Sequence, residues 1–204
     1  WYHNKLSTGQ PRGNVSYFDK CVFYIDDDYR GDNINLPFYA HISMSMVDGI
    51  SISGCKFYNW NTKTQNKGMG NGIVAFDAGF SVRPCRPISC YPVDSCVFRG
   101  FRCGILTEAF TDYRTSVMVD QASFDSCSVG IRVINGDKIV LTRNTLKVGN
   151  GKWIDLNPVE CNKNMGIYIS NTPAFRVEEN GLSGYTHGGQ VSGWENIGVL
   201  GEGS

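Results

Sequence analysis

Four aspartates lie within seven residues of one another in the segment YIDDDYRGDN (24–33), the densest group of potential metal ligands in the chain. Carboxylate oxygens clustered on a loop are the ligands that Ca²⁺ prefers. The spacing is not that of an EF-hand, because no glutamate follows at the twelfth position. The sequence therefore leaves two interpretations open: a weak calcium site made by Asp26, Asp28 and Asp32, or a solvated acidic turn. No other cofactor is expected.

A second chemistry would need carboxylates or basic side chains that converge on a sugar. Glycoside hydrolases use two carboxylates a few ångströms apart, on either side of the scissile bond. Asp94 and Asp120 occupy the same outward position of a repeat described below, and Arg143 occupies the next position of that repeat. They indicate either part of a catalytic groove or a solvated strand face. Motifs typical of polygalacturonases and pectate lyases are absent, and His3, His41 and His187 do not fit a catalytic triad.

The eight cysteines suggest two uses. Cys85 and Cys90 lie in the Pro-rich stretch RPCRPISC, where we predict a local disulfide. Cys21, Cys55 and Cys96 each precede a phenylalanine at i+2, which favours a small buried side chain on one face of a strand. Disulfide pairing is the alternative for these three. No CxxC pair is present, so a zinc site is not indicated.

Aromatic residues also fall in or beside stretches of variable length. Exposed rings in such places either form a platform that stacks against sugars or cover the open sides of the fold. The residues concerned are Tyr58, Trp60, Phe101, Tyr113, Trp153 and Tyr185.

The elements that would position these residues follow from an internal repeat. Five segments share an eight-residue template with apolar residues at positions 1 and 3, a small or polar residue at position 6, and Phe or Leu at position 8. They are ISISGCKF (50–57), YPVDSCVF (91–98), VMVDQASF (117–124), IVLTRNTL (139–146) and FRVEENGL (175–182). A Gly-Ile pair follows each of the first four segments, and the chain then alternates again. We interpret each glycine as a bend with positive φ.

Each unit therefore reads as three short strands, and successive units can bury their apolar faces only by stacking. The shortest spacing between units is 22 residues, from Ala122 to Asn144, enough for one closed coil. Stacking would place Phe57, Phe98, Phe124, Leu146 and Leu182 in one interior column. Asn144 and Asn180 would form an asparagine ladder, in which each side-chain amide satisfies the backbone of the next coil. We predict an all-β, right-handed parallel β-helix of about five to seven coils. A β-sandwich is the alternative.

Composition sets the outer limits. The 204 residues carry 19 Lys and Arg and 19 Asp and Glu, so the net charge is zero, which argues against a nucleic-acid binder. No run of 18 apolar residues is present, and no transmembrane helix is expected. We expect one solenoid segment over 1–204, with the repeats best supported over 14–184 and both ends cut from a longer protein.

The order of motifs resembles the β-helix region of large Bacteroidota surface proteins that are exported by the type IX secretion system. The resemblance lies in YIDDDYRG, FYAHISM, VDGISISGCKFYNW, SCVFRGFRCGI and GIYISNTPAFRVEENGLSG. It implies a secreted or outer-surface location, with the secretion and outer-membrane machinery as partners.

These observations predict a non-catalytic structural or adhesive solenoid that presents loops to surface or carbohydrate ligands. A polysaccharide lyase or glycoside hydrolase on the same scaffold is the alternative, and a trimeric tailspike-like fibre is a third.

Overall fold

Alternating apolar residues in short stretches separated by turns produce a fold made of strands alone. The computed structural model describes residues 16–29, 38–63, 68–85, 93–110, 115–149, 164–184 and 196–202. These residues form eighteen strands and no helix. Every three consecutive strands make one coil, so there are six coils among the described residues.

The strands of each coil have the following bounds. Coil 1 contains β1 (Tyr17–Asp19), β2 (Val22–Ile25) and β3 (Ala40–Ser45); coil 2 contains β4 (Ile50–Ser53), β5 (Lys56–Asn59) and β6 (Asn71–Phe76); coil 3 contains β7 (Phe80–Arg83), β8 (Val97–Arg99) and β9 (Cys103–Glu108). Coil 4 contains β10 (Ser116–Asp120), β11 (Ser123–Cys127) and β12 (Val129–Ile134); coil 5 contains β13 (Lys138–Thr142), β14 (Thr145–Val148) and β15 (Asn164–Ser170); coil 6 contains β16 (Phe175–Glu178), β17 (Gly181–Gly184) and β18 (Asn196–Glu202).

The first, second and third strands of the coils stack into three parallel sheets of six strands each. This is a parallel β-helix, as the repeat predicted, and the six coils fall within the predicted range. Main-chain groups of each coil pair with the coils on either side, so no coil is held by its own hydrogen bonds alone.

The interior is built around the predicted column. Successive phenylalanine rings stack almost parallel: Phe57 on Phe98 at 4.6 Å between centroids, and Phe98 on Phe124 at 4.8 Å. Phe23, which lies outside the five template segments, extends the stack by one coil at 5.0 Å from Phe57. Leu146 lies in register with Phe124 and continues the column into coil 5. Leu182 is in register with Leu146 but is 39% exposed, so its predicted interior position is wrong. Side chains superimposed at strand spacing thus fill the core.

The bend between the first and second strands uses one residue in the left-handed region. This residue stands at position 5 of the template in five of the coils: Lys20, Gly54, Gln121, Arg143 and Glu179 have φ between 51° and 59°. Only one of them is glycine. The strand therefore turns sharply at a single residue, and the position 6 side chain that follows points into the core.

The structure corrects the reading of the Gly-Ile pairs. Gly72, Gly104 and Gly130 lie within or beside strands, and none has a positive φ among the described residues. Glycine is needed at these positions because there is no room for a Cβ. A Cβ on Gly104 would stand 2.5 Å from the ring of Phe124 and 2.7 Å from the carbonyl oxygen of Gly130. The interior column of the next coil therefore excludes any side chain at these positions.

The template is also wrong in coil 3. The template predicts 91–94 as the first strand of that coil, but the strand that pairs with β4 and β10 is β7, Phe80–Arg83. β7 ends at Arg83 and β8 begins at Val97, so coil 3 carries an insertion in the chain between its first two strands. Val93 is accordingly exposed rather than interior. Apolar residues at the right spacing were present by chance, and the sheet pairing decides between the two segments.

Candidate functional site

Three aromatic side chains meet on the outer face of the second sheet in coils 1 and 2. Tyr24 and Tyr58 are in register on β2 and β5, and Trp60 follows β5. The Trp60 ring lies 4.7 Å from the ring of Tyr58 and 5.7 Å from that of Tyr24. Tyr24 is 57% exposed and Trp60 is 51% exposed. We call Tyr24, Tyr58 and Trp60 the aromatic cluster.

The cluster follows from the repeat. The sequences KCVFY (20–24) and GCKFY (54–58) place a tyrosine directly after the interior phenylalanine, and residues that follow one another in a strand point to opposite faces. Stacking of the two coils then brings the tyrosines side by side. Sequence reasoning singled out Tyr58 and Trp60 but missed Tyr24, although the repeated Phe-Tyr pair was a usable signal.

Hydrogen bonds to main-chain carbonyl oxygens hold the residues around the cluster in place. The Trp60 amide donates to the Ile25 carbonyl oxygen at 2.8 Å. The Asn61 side chain donates to the Asp26 carbonyl oxygen at 2.6 Å, and the Asn59 side chain donates to that of Met69 at 3.0 Å. The rings therefore stand on a sheet and an anchored turn, which lowers the ordering cost of binding a ligand.

Two ion pairs flank the aromatic cluster on the same sheet. Lys56 pairs with Asp94 at 3.1 Å, and Arg99 pairs with Asp125 at 3.2 Å. Arg99 is in register with Tyr58, and Asp125 is in register with Arg99. The rings are thus bordered by hydrogen-bonding groups whose charges balance.

The other predicted aromatic residues have different positions. Phe101 is fully buried and packs edge-on against His41, with centroids 5.2 Å apart, so it belongs to the core rather than to a surface platform. Tyr113, Trp153 and Tyr185 lie outside the described residues.

A second candidate is a depression of about 380 Å³ on the outer face of the first sheet, spanning coils 4 to 6. We call it the charged depression. The charged side chains that line it are Asp120, Arg143, Arg176, Glu178 and Glu179. It contains Asp120 and Arg143, as the groove hypothesis expected.

Four of the five charged side chains in this depression form two ion pairs, and Glu179 is in neither. Arg143 grips both carboxylate oxygens of Asp120, at 2.9 and 2.6 Å, and the Thr142 hydroxyl donates to the same carboxylate at 2.8 Å. Arg176 donates to Glu178. The hydrogen bond from Arg176 lowers the pKa of Glu178, and those with Asp120 and Glu178 raise the pKa values of Arg143 and Arg176. The shift of Glu178 is opposite to the raised carboxyl pKa of a general acid, and the shifts of the two arginines are opposite to the lowered pKa of an arginine base.

Asp94 does not join the charged depression. In the first sheet Arg83, not Asp94, is in register with Ser53, because β7 is the first strand of coil 3. Asp94 lies in the insertion before β8 and pairs with Lys56. The predicted alignment of Asp94 with Asp120 is therefore wrong.

The acidic segment is partly described. The Asp26 carboxylate accepts from the Asp28 amide at 3.0 Å, and the Asp27 carboxylate accepts from the amide and hydroxyl of Thr62 at 2.7 and 2.6 Å. The hydrogen bond from the Thr62 hydroxyl is the largest cause of the lowered pKa of Asp27. Asp32 lies outside the described residues, within which no group of three potential ligands converges. A calcium site made by Asp26, Asp28 and Asp32 stays a prediction.

Two of the three cysteines before phenylalanine have their predicted burial, and none has its predicted place. Cys21, Cys55 and Cys96 are free thiols, of which Cys55 and Cys96 are fully buried. They stand at bends between strands rather than on a strand face. The disulfide of Cys85 with Cys90 stays a prediction, because Cys90 lies outside the described residues.

No protein-family model, curated protein or solved structure matches this chain. Among the described residues, no helix is long and apolar enough to cross a membrane. The fold and the two surfaces define a parallel β-helix protein. It has an exposed aromatic cluster on one sheet and, on another, a charged depression that contains two ion pairs.

Proposed function

We propose that this solenoid is a non-catalytic adhesive segment that binds carbohydrate through the aromatic cluster. Aromatic faces bind the apolar C–H faces of sugars, and the polar groups beside them can hydrogen-bond sugar hydroxyls. The observation that carries the proposal is the exposure of Tyr24 and Trp60 on a rigid sheet, where burial would otherwise be favoured.

The test is binding of the 204-residue chain to a panel of soluble and insoluble polysaccharides, by affinity electrophoresis and calorimetry. We expect Trp60→Ala to weaken binding at least about tenfold, the equivalent of one lost stacking contact of roughly 1.4 kcal/mol. Phe110→Ala is the control, because Phe110 is a ring of similar exposure, 62%, outside the cluster. Equal losses in the two variants, or no binding to any polysaccharide, would overturn the proposal.

We also propose that the segment works outside the cell, as secreted or surface-attached material, with the secretion and outer-membrane machinery as partners. The support is the resemblance to exported Bacteroidota β-helix regions given above. Surface labelling of producing cells, with and without a working type IX secretion system, tests this location. Retention of the protein inside wild-type cells would contradict it.

A second candidate function is a polysaccharide lyase or glycoside hydrolase that uses the charged depression. The favouring observation is that three carboxylates and two guanidinium groups converge there across three coils. The ion pairs described above count against it. An assay for new reducing ends and unsaturated products, with Glu178→Gln as the control, decides: turnover that this variant loses would establish the enzyme.

A further inference from the structure

The aromatic cluster is the beginning of a longer outward column on the second sheet. The register runs from Tyr24 to Tyr58, then to Arg99, Asp125 and Lys147, one residue for each coil. Neighbouring strands are about 4.8 Å apart, so the column presents one side chain at each such step along the solenoid axis. Its first two members are rings and the next two form an ion pair.

We propose that the carbohydrate ligand is a linear, neutral glycan that lies along the solenoid axis, with its first sugars on the aromatic cluster and the next on the Arg99–Asp125 pair. This rests on the proposed function and adds the class of ligand and its direction.

The direction follows from the spacing. In an extended glycan each sugar advances by about one strand spacing, so successive sugars meet side chains of successive coils. A chain that crossed the sheet at right angles would leave the column after one sugar. Only the axial path uses both the rings and the polar pair.

The neutrality follows from the charges. Lys56 is paired with Asp94, and Arg99 with Asp125, so the two pairs beside the rings carry equal positive and negative charge. A polyanionic glycan would need an excess of cations, and its binding would fall with salt. Paired groups still bind neutral hydroxyls well, because the guanidinium donates while the carboxylate accepts.

The exposure of the pair supports this role. The side chain of Arg99 is 57% exposed, whereas that of Asp125 is 28% exposed. Asp125 therefore sits lower and orients the guanidinium, whose remaining donors are open to a ligand beside the tyrosine of the preceding coil.

The experiment is calorimetric titration of the 204-residue chain with neutral oligosaccharides, from disaccharide to hexasaccharide, and with uronic-acid oligosaccharides of equal length, at low and high salt. We expect affinity to rise with length up to about the tetrasaccharide and to be insensitive to salt. Arg99→Ala should remove about fivefold to tenfold of the tetrasaccharide affinity, one charge-assisted hydrogen bond, and leave the shortest binding ligand unaffected. Arg83→Ala, which removes an exposed guanidinium from the first sheet outside both candidate sites, should change nothing.

The outcomes separate the two proposals. Binding that depends on Trp60 but not on ligand length or on Arg99, or that prefers the charged series and weakens with salt, would overturn the axial neutral glycan and leave carbohydrate binding intact. Loss of binding in Trp60→Ala together with the length and Arg99 effects supports both. Absence of any oligosaccharide or polysaccharide binding overturns both.

Discussion

The first three coils and the last two solve the same packing problem with different residues. The position 6 side chain is Cys21, Cys55 or Cys96 in coils 1 to 3, and Asn144 or Asn180 in coils 5 and 6. The position 8 column likewise changes, from stacked phenylalanines in coils 1 to 4 to leucines in coils 5 and 6.

At position 6 the thiol does the work of the amide. Asn144 accepts from the Ala122 amide of the preceding coil at 2.9 Å and donates to the Val119 carbonyl oxygen at 3.0 Å. Cys96 accepts from the Cys55 amide at 3.3 Å and reaches the Ile52 carbonyl oxygen at 3.7 Å. In coils 3 and 5 this position thus holds a short side chain with one donor and one acceptor, whereas Ala122 in coil 4 has neither.

The same contacts refine the predicted asparagine ladder. Asn180 accepts from the Asn144 amide at 2.9 Å and donates to the Leu141 carbonyl oxygen, also at 2.9 Å. The ladder exists as predicted, but each amide satisfies the backbone of the preceding coil rather than the next one. At the bend, the main-chain amide and carbonyl of each coil point toward the side chain of the following coil.

The largest difference between the two regions should appear at position 8. Phe98→Ala should lower the free energy of unfolding by about 5 kcal/mol, and Leu146→Ala by about 3 kcal/mol, because Phe98 also loses two ring contacts. Denaturant unfolding of both variants measures this. Phe98→Leu is the control and should cost much less than Phe98→Ala. An equal cost for the two alanine variants would show that ring stacking adds nothing.

The second largest difference between the two regions should be their stability in acid, which we expect to be lower in coils 1 and 2. His41 takes the place in coil 1 that glycine holds in coil 2, and its ring packs against Phe23, Phe57 and Phe101. Both ring nitrogens are buried without a hydrogen-bond partner, and burial lowers the pKa of His41 to about 4. The unfolded chain, with a pKa near 6.5, then binds the proton more readily between these values. The contribution of neutral His41 to the free energy of unfolding is fully present above pH 6.5 and should fall by roughly 3 kcal/mol as the pH drops to 4.

The measurement is denaturant unfolding across this pH range, with hydrogen exchange to locate the opening. His41→Leu should remove this part of the pH dependence, and exchange in the wild-type chain should accelerate first in coils 1 and 2. The same pH profile in both proteins, or opening that starts in coil 5, would contradict the assignment.

The smallest effect should distinguish thiol from amide. Asn144→Ala should cost about 2 kcal/mol, because a buried main-chain amide and carbonyl lose their partners. Cys96→Ala should cost about 1 kcal/mol, since thiols are weaker hydrogen-bonding groups. Cys96→Ser keeps a donor and an acceptor and should fall between wild type and Cys96→Ala. A larger loss at Cys96 than at Asn144 would mean that packing, not hydrogen bonding, sets the requirement.

Much of the core was predictable because stacking imposes the same environment on each coil. Phe57, Phe98 and Phe124 recur at position 8 only because each fills the same interior site. The repeat could not identify β7 as the first strand of coil 3, since 91–94 carries an equally good alternation and only main-chain pairing excludes it. The aromatic cluster was half predicted: Trp60 stood out by type, whereas the role of Tyr24 depends on its neighbour in another coil.

The sequence by itself determined the architecture, because an apolar pattern that recurs with small bend residues can bury its faces only by coiling and stacking. It also determined the presence of rings and charges outside the template. Tertiary structure alone decided which of them meet. Asp120 pairs with Arg143 and does not align with Asp94. Tyr24 lies beside Tyr58 and Trp60. Insertions of unequal length separate such neighbours, so distance along the chain does not predict which residues meet across coils. Tertiary structure also explains the glycines of the Gly-Ile pairs, because a Cβ there would clash with the position 8 side chain of the next coil.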